Sequence, residues 1–145
     1  MSFDLEMIQK MWEEDSKIDI DNLHSESLKI PALHAKYFDI YNTLLLLRKK
    51  AEQQKKNTRH ERYEYYSGKA DPEVYVKDPF PKKIRDKDTL QAYLDADHKF
   101  SQVRLKVEYY DVMLEYLKDI LKMIHNRSYQ IKNSIDYIIF FSGMK

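Results

Sequence analysis

Between Arg48 and Arg62 the chain carries seven lysines and arginines against two glutamates, and Tyr63-Glu64-Tyr65-Tyr66 follows at once. From Glu52 to Arg62 there is no aliphatic side chain to bury. A helix that keeps its cations through three turns without an apolar face must stand in solvent or against a polar partner. Cations neutralise phosphates, and tyrosine rings offer a flat face on which unstacked bases can lie; single strands present both, duplexes only the first. On helical spacing Arg48, Lys55, Arg59, Arg62 and Tyr66 fall near one face, with Glu52 as the anion among them, while Lys49, Lys56, His60 and Tyr63 lie on the neighbouring strip. Such a track contacts backbone phosphates rather than base edges, so binding should tolerate sequence and weaken with salt. The competing reading is a charged, solvated helix whose tyrosines cover a core.

Other chemistry finds no foothold. The two glycines, Gly68 and Gly143, lie 75 positions apart, which excludes a glycine-rich phosphate loop. The five histidines, His24, His34, His60, His98 and His125, form no His-x-x-x-His or Glu-x-x-His pair. Asp95-Ala96-Asp97-His98 is the nearest approach to a metal cluster, but adjacent side chains diverge on a helix, and a helix cap is the simpler reading. With no cysteine, disulfides, thiolate ligands and thiol nucleophiles are absent. No nucleophile is paired with a base, so no catalytic residue, metal or cofactor is expected. Lys82-Lys83-Ile84-Arg85-Asp86-Lys87 is a second basic cluster that could lengthen a nucleic-acid path.

The elements that must hold these residues are long helices. Glycine and proline are scarce (two and four), 34% of residues are charged, and mean hydropathy is −0.73. No apolar run approaches the twenty or so residues of a membrane span, and Met1–Glu6 lacks the pattern of a signal peptide. A cytoplasmic protein is expected. The net charge of +1 conceals segregation, since residues 1–26 hold eight acids against Lys10 and Lys17 while 48–62 sum to +5. That polarity suits an acidic arm docking on a basic surface, or two partners.

The spacing predicts an all-α chain of long amphipathic helices with a short connecting loop region. Residues 1–30 form an acidic helical arm: a first helix from Phe3 to Asp15, then a helical turn through Leu28 capped by Asp21. Residues 31–67 form one long helix entered at Pro31, with Leu33, Tyr37, Ile40, Leu44, Leu47 and Ala51 as its core-facing stripe and Gly68 as its stop. Residues 68–87 are a proline-containing loop in which Glu73–Lys77 alternates like a short edge strand. Residues 88–145 are helical, with Asp88 or Asp97 as a cap, a stripe from Val103 to Ile124, a break at Asn126-Arg127-Ser128 and a last helix. Ile131, Ile135, Ile138, Ile139, Phe140 and Phe141 load that last helix with apolar bulk on all sides, which one bundle partner cannot cover. A subunit interface is its expected place; a fully enclosed terminal helix is the other.

The order of these features resembles the UvsY family, recombination mediators of T-even-like bacteriophages. The likeness rests on the basic helix running into Tyr65-Tyr66-Ser67-Gly68-Lys69, then the polar loop, Met113-Leu114, Arg127, Ile131-Lys132 and a closing apolar helix ending at Gly143; Ile18-Asp19 in the acidic N-terminus also fits. It is strongest at Tyr65–Lys69 and weak from Ala70 to Lys87. The resemblance implies a ring-like homo-oligomer of hexamer or heptamer class, assembled through the C-terminal region. It implies a protein that binds single-stranded DNA, weakens the hold of single-strand-binding protein and loads a RecA-like recombinase, in DNA recombination and repair in the cytoplasm of an infected bacterial host. It implies no enzymatic activity. Basic residues just before the tyrosine pair contribute to DNA binding in the family: Arg62 matches one, whereas His60 replaces a lysine and Glu61 adds an anion, so Lys55, Lys56 and Arg59 would carry the contact one turn earlier. The expected DNA-binding set is Arg48, Lys55, Lys56, Arg59, His60, Arg62, Tyr65, Tyr66 and Lys69. Its rivals are a helical scaffold protein with a solvated basic helix, and a protein that holds an acidic partner with the same cations.

Overall fold

A computed structural model describes residues 3–143. Six α-helices and one 3-10 turn follow in order: α1 (Leu5–Asp15), a 3-10 turn (Ile20–Asn22), α2 (Leu23–Leu28), α3 (Ile30–Ser67), α4 (Pro72–Lys77), α5 (Lys87–Ala96) and α6 (His98–Gly143). No strand occurs among the described residues, and none of their helices is long and apolar enough to cross a membrane. The chain divides into two compact units, one of residues 46–111 and one formed by the segments on either side.

Several ends differ from expectation for local reasons. Asp4 caps α1 by accepting from the Met7 amide at 2.7 Å, so the helix begins at Leu5 rather than Phe3. The turn through Leu28 is α2, and its N-cap position is Asn22 rather than Asp21; Asp19 caps the 3-10 turn before it, taking the Asp21 amide at 3.0 Å and the Asn22 side chain at 2.7 Å. The alternating Glu73–Lys77 stretch is helical, not extended. Pro72 at its first turn has no amide to satisfy there, and no neighbouring strand offers the ladder that an edge strand requires. Asp86 rather than Asp88 caps α5, accepting from the Thr89 amide and hydroxyl at 3.0 and 2.7 Å.

In the unit formed by the two flanking segments, Tyr37, Ile40 and Leu44 of α3 and Met113, Leu114, Leu117, Ile120, Ile124 and Ile131 of α6 are buried, with Ile8, Trp12 and Leu23 from the N-terminal arm. Each such aliphatic side chain contributes about 1.5–3 kcal/mol over its exposed state, more than helix propensity supplies at any one position. Trp12 meets Tyr37 edge-on at 5.5 Å. The break expected at residues 126–128 is absent, because Arg127 is a buried clamp. Its guanidinium donates to the carbonyls of Asp15 and Lys17, each at 2.9 Å, and to Glu26 at 3.2 Å. Asp15 also accepts from Tyr37 Oη (2.7 Å) and Lys36 Nζ (2.6 Å). Burial would raise the Asp15 carboxyl, but these donors and nearby cations hold it below its ordinary value. Part of the arm's acidity is therefore used within the chain.

The C-terminal apolar residues are left uncovered by the chain itself: Ile139, Phe140 and Phe141 are 51–63% exposed, and Ile135 and Ile138 are exposed as well. Ile131 departs from that group. At 3% exposure it belongs to the chain's own core and offers no outward surface.

Candidate nucleic-acid interface

Residues 46–111 contain the whole basic region. The core-facing phase of α3 does not stop at Ala51. Continuing at i+4 and i+3, it passes through Lys55 and Thr58, both partly buried, to Arg62 and Tyr65, which are buried. The inward stripe changes from apolar to polar while keeping its register.

Arg62 is the centre of this polar interior. Its Nε donates to Asp97 Oδ2 at 2.8 Å, with both side chains under a tenth exposed. Tyr66 Oη donates to the same oxygen at 2.6 Å, and the Phe100 amide reaches Asp97 Oδ1 at 2.8 Å. The guanidinium lies over the Tyr65 and Tyr66 rings, at 4.2 and 5.2 Å from their centroids. Burial alone would raise the Asp97 carboxyl, but the Tyr66 hydroxyl, the Phe100 amide and the Arg62 guanidinium together hold it below its ordinary value. Burial raises the Tyr66 phenol, and its bond to the carboxylate adds to that. Asp97 is thus the cap of α6 foreseen from the sequence and also the counter-ion of Arg62.

The tyrosines serve the same interior. Tyr65 donates to the Asp78 carbonyl at 3.0 Å and stacks on Tyr75, whose own hydroxyl donates back to the Tyr65 carbonyl at 2.8 Å. Tyr66 packs with Phe80 and Tyr93 against buried Ile84, Leu90 and Leu94. α3 ends in a Schellman motif. The Lys69 amide bonds the Glu64 carbonyl at 2.9 Å and the Gly68 amide bonds the Tyr65 carbonyl at 3.3 Å, with Gly68 at φ +79°. The Ile84 amide then donates to the Tyr66 carbonyl at 3.1 Å, folding the loop back onto the end of α3.

The expected track is therefore divided. Arg62 and Tyr65 are enclosed, Tyr66 is committed to Asp97, and Arg48 makes a two-point pair with Asp111. Arg62 and Tyr65 offer no open face to a strand, whereas Arg48 stays at the surface, a third of its side chain exposed beside Asp111. The outward strip is the neighbouring one: Lys56, Arg59, His60 and Tyr63 line one shallow groove on α3, and Lys49 is exposed on the same helix. Arg59 makes a single hydrogen bond to Gln91 at 3.3 Å, and His60 faces Glu64 at 3.2 Å. Lys49, Lys55, Lys56 and Lys69 form no ion pair among the described residues. The groove thus offers two strong cations, an imidazole and one phenol ring 37% exposed at i, i+3, i+4 and i+7.

Sequence reasoning missed the counter-ions. Asp111 and Asp97 lie 63 and 35 positions from their arginines, and no periodic pattern links them. Tyr63 had a signal, since it falls seven positions after Lys56 on the same strip.

Residues 11–144 match the family described as recombination, repair and ssDNA binding protein UvsY. The chain is 26% identical over 139 residues to the recombination protein uvsY of Enterobacteria phage T4, covering 96% of this chain and 98% of that one. A crystal structure of the bacteriophage T4 recombination mediator protein UvsY, lattice type II, is similar with a TM-score of 0.84 at 25% identity, over 97% of this chain and 99% of that one. The lattice type IV structure gives 0.82 at 24% identity, covering 95% and 98%, a likeness of fold. The all-α helical order, a cation-lined helix and these matches place the chain in the UvsY family of phage recombination, repair and single-stranded-DNA-binding proteins.

Proposed function

We propose that this protein is a recombination mediator that holds single-stranded DNA on the outward groove of α3 and loads a RecA-like recombinase onto strands covered by single-strand-binding protein. The observation that carries the reading is the groove of Lys56, Arg59, His60 and Tyr63, where Lys56 and Arg59, neither of them in an ion pair among the described residues, flank an accessible ring. Membership of a single-stranded-DNA-binding family supports it. Phosphate contacts from Lys49, Lys56 and Arg59 give affinity without reading bases, and Tyr63 supplies a stacking face.

One such groove binds weakly. A homo-oligomer joined through the exposed C-terminal residues arrays several grooves on one strand, and each further contact then becomes intramolecular. In a ring, a strand drawn around the assembly is bent away from the path that a competing binding protein imposes. The mediator role comprises that displacement and the hand-over to recombinase, in the cytoplasm of the infected host.

The test is the double variant Lys56→Ala with Arg59→Ala. With two phosphate contacts removed, the slope of log affinity for oligo-dT against log salt should become shallower by about 1.4, at 0.7 per single-strand contact. Oligomeric mass and melting temperature should stay as in the wild type, because both side chains are exposed. An unchanged slope would remove the groove from the DNA path. Arg62 is unsuitable for this test, since its loss leaves Asp97 buried without its partner.

A further inference from the structure

The second basic cluster does not lie apart from α3. The bond from the Ile84 amide to the Tyr66 carbonyl brings Lys82 and Lys83 to the C-terminal end of that helix. Lys83 runs across Gly68 so closely that a methyl group added there would come within 2.8 Å of its Cγ. Together with Gly68, Tyr75 and Phe80, these two lysines line a concavity of about 360 Å³. Tyr75 and Phe80 are partly exposed, and each is braced from behind by Tyr65. Lys69, Lys82 and Lys83 are exposed and form no ion pair among the described residues. Asp71 and Glu73 belong to the same segment but do not line the concavity.

We propose that this concavity is a second single-strand subsite, in which Lys82 and Lys83 hold a backbone phosphate and the braced Tyr75 and Phe80 rings receive an unstacked base. The assignment rests on the single-strand reading of the α3 groove and extends the bound strand past Gly68. Two features distinguish it from a merely solvated loop. Its cations lack acidic partners, whereas Arg48, His60 and Arg62 each face a carboxylate. Its rings are fixed by packing and by the hydrogen bonds of Tyr75, so a base loses little to reordering the site on arrival. The lysines also sit at a helix C-terminus, where positive charge is favoured even without DNA, so the site exists before the strand arrives.

The experiment uses the full chain with oligo-dT carrying 5-iododeoxyuridine, irradiated and mapped by peptide mass spectrometry, alongside the double variant Lys82→Ala with Lys83→Ala. Adducts on Tyr75 or Phe80, and a variant salt slope shallower by about 1.4, are expected. Adducts confined to Tyr63 or His60, with an unchanged slope in that variant, would overturn the second subsite while leaving the α3 groove in place. No binding of oligo-dT by the wild-type protein would overturn both. Melting of the variant serves as its fold control, since both lysines are exposed.

Discussion

At the scale of single residues, the most consequential pair is Arg62 with Asp97. Removing one partner of a buried ion pair typically costs about 3–5 kcal/mol, because the other charge stays buried without compensation. Asp97→Asn should therefore destabilise the protein by about 3 kcal/mol in chemical denaturation, keeping the shape of the side chain while losing its charge. The pH dependence has a defined sign. The folded Asp97 carboxyl titrates below its value in the unfolded chain, so the unfolded state binds more protons in acid. The stability it supplies is complete above about pH 4, the ordinary carboxylate value, and is lost as pH falls through the lower folded value. In Asp97→Asn that part of the acid sensitivity should disappear. A variant as stable as the wild type, with the same acid profile, would show that the pair does not hold this interior together.

At the scale of elements, what could be read from the sequence followed periodicity, and what could not depended on distant partners. The stripe from Leu33 to Ala51 is apolar, and Tyr37, Ile40, Leu44 and Ala51 are buried as expected, with Leu33 and Leu47 partly so. Beyond Ala51 the same phase is occupied by Lys55, Thr58 and Arg62, and a hydropathy pattern cannot distinguish a polar interior from a solvated face. At Arg62 it is the carboxylate of Asp97 that makes the position an inside. Arg127 gives the same lesson: Asn, Arg and Ser in succession look like a break, yet the partners that keep the helix going lie more than a hundred residues away. The alternation of Glu73–Lys77 was a true pattern on too short a segment, overruled by Pro72 and the tie from Tyr75 to Tyr65. For the interface, the cationic segment itself was legible, while its outward strip was decided by which arginines found acids. The double variant of Lys56 and Arg59 tests a helix face rather than one contact.

At the scale of the whole molecule, the exposed end of α6 determines what one chain can be. Tyr137, Ile138, Ile139, Phe140 and Phe141 are all about half or more exposed, an apolar surface that folded chains rarely leave open unless something covers it. A second copy is the occupant that the proposed function requires. Replacing Ile139 and Phe140 together by Asn should yield smaller species in light scattering at unchanged helix content, and looser strand binding as avidity is lost. A native mass in that variant would move the subunit interface elsewhere.

In the proposed function, residues of the outward α3 strip hold single strands through phosphates and stacked bases. Its most direct test is fluorescence anisotropy with labelled oligo-dT and a matched duplex, each at about 50 and 200 mM salt, the span over which phosphate contacts separate from other interactions. Tight binding of the single strand, exceeding that of the duplex and falling steeply with salt, is the predicted result. Absence of single-strand binding at the lower salt would rule out this role and leave α3 a solvated strut.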